Sequence, residues 1–259
     1  MIKGLDKFQE HFGQYRGSFV LIGGVACHEW LASQGLTFRA TKDLDIVLII
    51  EALDQAFVER FWQFIEAGQY EIRERAEGGR ELYRFSRPKA ADYPTMIEIF
   101  SRQPGNINLG EGQNIVPISA DASDASLSAI LLDDEYYQLI ITHRVEDANP
   151  PYINPAALVP LKARAWLDLT KRKSQGEKVD SKDIDKHRTD VFRLAATLPG
   201  EAGPAIGAAV SADLREFLAA FSTESPEWPS ILASLKTTFG NIVLEPKSLI
   251  EVVLTYFRL

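Results

Sequence analysis

The chain is 259 residues long, 46% hydrophobic and 25% charged, with a formal net charge of −8 and a single cysteine. That length accommodates one large domain or two modest ones with real cores, and the negative balance argues against wrapping by nucleic acid while leaving room for a local basic groove. One thiol, Cys27, excludes an internal disulfide framework and makes a reducing cytoplasm the expected compartment. No apolar run reaches the ~20 residues of a membrane helix. The first residues, MIKGLDKFQEHF, turn amphipathic at once, so neither a secretory leader nor a membrane partner is expected.

Leu5, Phe8 and Phe12 recur at helical spacing and predict a helix within 3–15, broken by Arg16-Gly17-Ser18. Phe19–Ile22 reads as a short buried strand. Gly23-Gly24 then permits a tight turn and close backbone approach, and a helix from Val25 to about Ser33 ends at Gly35, a natural C-cap. The start of that helix offers free N–H groups and a positive dipole end, a ready place for phosphate. By itself the Gly-Gly pair reads as an ordinary strand–helix turn. Cys27 reads as a core residue.

The next strand carries Asp43, Asp45 and Val47 on one face and Leu44, Ile46 and Leu48 on the other, because side chains alternate with period two. Two same-face carboxylates, roughly 6.5–7 Å apart at the backbone, repel each other and resist desolvation. Shared hard divalent cations remove both objections. Residues 53–67 then predict a helix whose Phe57, Phe61, Trp62 and Phe64 read as core rather than as a base-stacking platform.

Tyr70–Ala76 and Glu81–Ser86 predict a hairpin rich in base: Arg73, Arg75, Arg80, Arg84, Arg87 and Lys89. That face is either simply solvated or an edge for nucleotide or RNA phosphate. Met96–Phe100 is the next buried strand, and Glu98 is its one acid. An unpaired glutamate is expensive to bury, so Glu98 is expected on an exposed face or as a third carboxylate beside Asp43 and Asp45. Residues 103–113 read as a loop. Ser126–Leu132 and Tyr136–Ile141 are expected to form a second hairpin turning at Asp133-Asp134-Glu135.

The prolines at 150, 151 and 155 mark a boundary, giving an expected core domain of 1–150 and a helical domain of 151–259. Helical patterns then run over 156–173, 183–198, 205–221, 226–238 and 247–259, with Asp180 or Ser181 capping the second. Lys162, Arg164 and Arg172 lie off the apolar stripe of the first. The expected fold class is α+β, a mixed sheet flanked by helices and followed by a helical domain.

At Gly23-Gly24 followed by Arg39-x-Thr41-x-Asp43-x-Asp45, the sequence resembles the nucleotidyltransferase superfamily typified by DNA polymerase beta. It is most similar there to the AbiEii-type enzymes, toxins of bacterial toxin–antitoxin and phage-defence systems. Leu161-Lys162-Ala163-Arg164-Ala165-Trp166 and Lys182-Asp183-Ile184-Asp185-Lys186-His187 match that group's downstream helical elements. Glu98 stands where aspartate is more usual. Asp183, Asp185 and Asp190 all remain open for the helical-domain acid.

The resemblance implies transfer of a nucleoside monophosphate from an NTP to an acceptor, with Mg²⁺ or Mn²⁺ held by Asp43, Asp45 and Glu98. It assigns nucleotide or phosphate contacts to Gly23, Gly24, Arg39, Thr41, Lys162 and Lys182. RNA, tRNA above all, is its precedent for the acceptor, and an antitoxin protein its precedent for a partner. An aminoglycoside-type small-molecule transferase and a non-catalytic nucleotide- or partner-binding protein are the alternatives.

Overall fold

The computed structural model describes residues 2–74, 80–103, 115–118 and 127–259. In chain order the elements are α1 (Leu5–Phe12), β1 (Phe19–Leu21), α2 (Gly23–Ser33), β2 (Asp43–Leu48), α3 (Gln55–Gly68), β3 (Glu71–Glu74), β4 (Arg80–Ser86) and β5 (Met96–Ser101). There follow β6 (Ile115–Ile118), β7 (Leu127–Leu131), α4 (Asp134–Thr142), β8 (Arg144–Val145), β9 (Tyr152–Ile153), α5 (Pro155–Ser174), α6 (Ser181–Ala195), α7 (Ala208–Ala219), α8 (Trp228–Phe239) and α9 (Pro246–Phe257). A 3₁₀ turn covers Ile50–Ala52. The expected loop at 103–113 and the hairpin turn at 76–79 lie, apart from Gln103, outside the described residues.

The chain divides into two compact units. One gathers Met1–His28, Arg39–Tyr137 and Arg144–Ile153; the other gathers Glu29–Phe38, Gln138–His143 and Asn154–Leu259. The second unit thus takes up two segments that the sequence suggested for the first.

The first unit holds a mixed sheet in the order β3-β4-β5-β2-β1-β9-β8. β1 runs antiparallel to β2 and parallel to β9, while β2 and β5 are parallel. One edge of β5 meets β2. Its other edge is shared between β4, antiparallel at Met96–Glu98, and β7, parallel at Phe100–Ser101.

One face of this sheet carries the core. Leu44, Ile97 and Phe85 stand side by side on β2, β5 and β4, all buried. Against that face pack the rings of α1 and α3: Phe61 lies 5.7 Å from Phe85, and Phe8 contacts both Phe19 and Phe64. Asp54 caps α3, its Oδ1 accepting from the Phe57 N–H at 2.8 Å. The aromatic cluster is therefore core, and Cys27 is buried as well.

The expected hairpin at Ser126–Ile141 does not form. β7 pairs instead with β6, and the acids after it begin α4: Asp133 accepts from the Glu135 N–H at 2.9 Å, and Asp134 and Glu135 fill the first turn. Tyr136, Tyr137, Leu139 and Ile140 are all buried, a helical stripe that short-range inspection mistakes for strand alternation.

The second unit is helical, with a core of rings from α5, α6, α7 and α8. Phe192 lies 4.6 Å from Trp228, and Trp166 lies 5.3 Å from Phe217. Asn154 and Asp180 cap α5 and α6 through their side chains. Among the described residues no helix is long and apolar enough to cross a membrane.

Candidate functional site

The face of the sheet opposite the aromatic core carries the acids. Asp43 and Asp45 alternate with buried Leu44 and Ile46 along β2, and both acids are part-exposed. The parallel register sets Asp43 opposite Met96 and Asp45 opposite Glu98. Directly opposed residues project from the same face, so all three carboxylates share it.

The glycine pair is fitted against this face. The Ile22 N–H donates to the Asp45 carbonyl at 3.0 Å, which brings the next residue alongside Asp45. Gly23 has φ +65°, the left-handed region, and an ideal Cβ there would lie 1.8 Å from Asp45 Oδ2. Gly23 is thus required twice, for its backbone conformation and for its neighbour. A Cβ on Gly24 would lie 2.7 Å from Thr41 Oγ1. The Arg39-x-Thr41 lead-in therefore passes over the first turn of α2, and Arg39 is half-buried within it. That first turn begins the helix, where backbone N–H groups have no partner within their own helix.

Glu98 has a partner that its sequence position did not reveal. Arg84 on β4 stands directly across from it, and both Nε and Nη2 of Arg84 lie 2.5 Å from Glu98 Oε1. The Glu98 side chain is 15% exposed and that of Arg84 40%. Asp45, Glu98 and Arg84 thus form one lateral row over β2, β5 and β4. The signal for Arg84 was present only as one base among several in a hairpin; the β4–β5 register singles it out.

As a metal centre the row fits in part. Asp43 and Asp45 are hard oxygen donors of the kind Mg²⁺ takes when phosphates supply its other ligands. Glu98, however, is committed to Arg84. Among the described residues no three His, Cys, Asp or Glu side chains gather into a set able to hold a metal ion.

The basic hairpin is also partly committed. Arg87 pairs with Glu71 at 3.2 Å, both exposed, and Lys89 is exposed. Arg75 lies outside the described residues, as do the side chains of Arg73 and Arg80.

In the helical unit the residues matched by resemblance separate into two kinds. Lys162 is 5% exposed, with Nζ 3.8 Å from Oδ2 of the fully buried Asp190. Arg193 holds the other Asp190 oxygen at 2.5 Å, donates to Thr238 Oγ1 and Ser234 Oγ, and lies over the Phe38 ring. Lys182, Asp183 and Asp185 are exposed on α6, the two acids pairing with Lys186 and Arg188. Of the three acids left open on that helix, Asp190 is the buried one.

The chain matches no protein-family model and no curated protein. Among solved structures it is similar to an antigenic nucleotidyltransferase-like protein from Paracoccidioides brasiliensis, at 13% identity over 91% of this chain and 94% of that one, with a TM-score of 0.40.

Proposed function

We propose that the chain is a nucleotidyltransferase that moves a nucleoside monophosphate from an NTP to an acceptor and releases pyrophosphate. The observation that carries this reading is the seat of Asp45 against Gly23, at the first turn of α2 and in one row with Glu98. A site for phosphoryl transfer needs in-line positioning and neutralisation of phosphate charge. In this reading Asp43 and Asp45 hold a divalent ion, Mg²⁺ or Mn²⁺, which when bound would supply much of that neutralisation. The N–H groups of the α2 first turn donate to phosphate oxygens. Gly23 and Gly24 let the backbone come close enough to do so. Phosphate or nucleotide contacts by Arg39, Thr41, Lys162 and Lys182 rest on the resemblance; within its own unit Lys162 also serves Asp190.

The acceptor we favour is RNA, with tRNA as precedent, in a toxin whose arrest of growth a cognate antitoxin relieves. The test is incubation of the full chain with each labelled NTP, Mg²⁺ and total RNA, set beside Asp43→Ala/Asp45→Ala. Label in RNA with the wild type alone supports the reading. Label on an added aminoglycoside instead of RNA points to a small-molecule acceptor. Absence of both transfer and Mg–NTP binding removes the reading.

The Arg84–Glu98 pair favours one second reading, a nucleotide-binding protein without transfer activity. In that case the wild type binds Mg–NTP, the double variant does not, and neither labels an acceptor.

A further inference from the structure

We infer that Arg193 is a positioning residue for the phosphate contact of Lys162. Held by α8, it occupies one oxygen of Asp190, and Asp190 then steadies the Lys162 ammonium without consuming its N–H donors. This rests on the reading above, in which Lys162 meets the phosphates of an NTP.

Lys162 Nζ lies 3.8 Å from Asp190 Oδ2, close enough to feel the carboxylate but beyond hydrogen-bond distance. Among the described residues nothing accepts a hydrogen bond from that ammonium, although the residue is only 5% exposed. A buried ammonium has three donors, and leaving them unmet is costly. A phosphate oxygen meets them with the right charge. Arg193 reaches three partners through three nitrogens at once. Nη1 lies 2.5 Å from Asp190 Oδ1, Nε donates to Thr238 Oγ1 at 3.1 Å, and Nη2 donates to Ser234 Oγ at 2.9 Å.

The short charge-assisted bond to Oδ1 turns the buried carboxylate toward Arg193 and offsets negative charge that otherwise draws Lys162 into contact. The line runs from α8 through Arg193 and Asp190 to Lys162 on α5, all inside the helical unit. It gives α8, which carries none of the matched motifs, a part in phosphate binding. Lysine at 193 keeps the charge but cannot span Asp190, Thr238 and Ser234 together, because it offers one ammonium on a flexible stem. Ser234→Ala/Thr238→Val loosens the guanidinium from α8 alone and leaves both charges of the Arg193–Asp190 pair in place.

The experiment is calorimetry of the full chain with each of the four Mg–NTPs, on variants shown to be folded by circular dichroism. For the NTP that the wild type binds most tightly, Arg193→Lys is expected to weaken binding about tenfold, the weight of one charge-assisted hydrogen bond. Ser234→Ala/Thr238→Val, the milder change should Arg193→Lys not fold, is expected to weaken it about threefold. In a Lys162→Met background neither change weakens binding by more than about twofold, because the effect runs through the ammonium.

Two results overturn the inference alone: NTP affinity unchanged in the folded variants, or a loss as large in the Lys162→Met chain as in the wild type. Either would show that Arg193 serves only the packing of the helical unit. Wild-type affinity in Lys162→Met removes the phosphate contact of Lys162, and this inference with it, while the aspartate site stands. Failure of the wild type to bind any Mg–NTP removes the nucleotidyltransferase reading itself.

Discussion

Replacing Gly23 by alanine tests the site at its tightest point. The new methyl meets two obstacles. At φ +65° an L-residue other than glycine costs ~1–2 kcal/mol. The Cβ would also fall 1.8 Å from Asp45 Oδ2 and 2.8 Å from its Cγ, so the carboxylate must leave its rotamer, adding ~0.5–1.5 kcal/mol. Together these give about 2–3 kcal/mol. For a chain of this size that lowers Tm by roughly 5–10 °C, read by circular dichroism.

Gly35 provides the control for the backbone cost. It has φ +69° with nothing within 4 Å of an added Cβ, so Gly35→Ala carries the conformational cost alone. Asp45→Ala provides the control for the contact: in that background Gly23→Ala is expected to cost about 1 kcal/mol less. If the two substitutions add to within about 0.5 kcal/mol, or if Gly23→Ala is no worse than Gly35→Ala, Asp45 is not seated on Gly23 and the proposed site loses its foundation.

Two further outcomes are expected. Lys162→Met removes one cation from the buried Asp190 and should destabilise the chain by about 2–3 kcal/mol in urea unfolding, somewhat less than breaking an isolated buried pair. Asp185→Asn, in an exposed pair on the same helix, should change stability by less than ~0.5 kcal/mol; similar costs for the two would show that the Lys162 pair is not buried. Burial holds His143 below its ordinary value of 6.5, so the unfolded chain takes the proton more readily. Stability from this group is complete above about pH 6.5 and is lost as the pH falls through the lower folded value. Between pH 7 and 5 the urea midpoint of the wild type should therefore drop further than that of His143→Gln, and an equal drop would remove the assignment.

Features written in short-range periodicity were legible from the residues. The shared face of Asp43 and Asp45, the start of α2 at the glycine pair, the Asp180 cap and the apolar stripe of α3 each depend on neighbours within a few positions. Arg84 was not legible as the partner of Glu98, because fourteen residues separate them and only the pairing of β4 with β5 chooses it from the other bases of the hairpin. The burial of Lys162 was not legible, because the apolar stripe of α5 suggested one buried side. The helix is in fact enclosed from Pro155 to Pro160 on every side, and Lys162 shares that burial through an aspartate 28 residues onward. Tyr136–Ile141 was misread for a different reason. Adjacent buried residues in pairs satisfy both periods over so short a span, and the Asp133 cap decides for the helix.

The distribution of chain between the two units bears on how the molecule is made. The chain passes from one unit to the other at 28/29, 38/39, 137/138, 143/144 and 153/154. Within the helical unit, Trp30 donates to Thr197 and Thr37 to the carbonyl of Thr237, pairings 167 and 200 residues apart. During synthesis Trp30, Thr37 and Phe38 leave the ribosome long before their helical partners exist. The helical unit is thus completed only when nearly the whole chain is available, and its folding carries the loop-closure cost of those long separations. A chain stopped at Ile153 lacks Thr197, Thr237 and Arg193, which Trp30, Thr37 and Phe38 contact in the full chain.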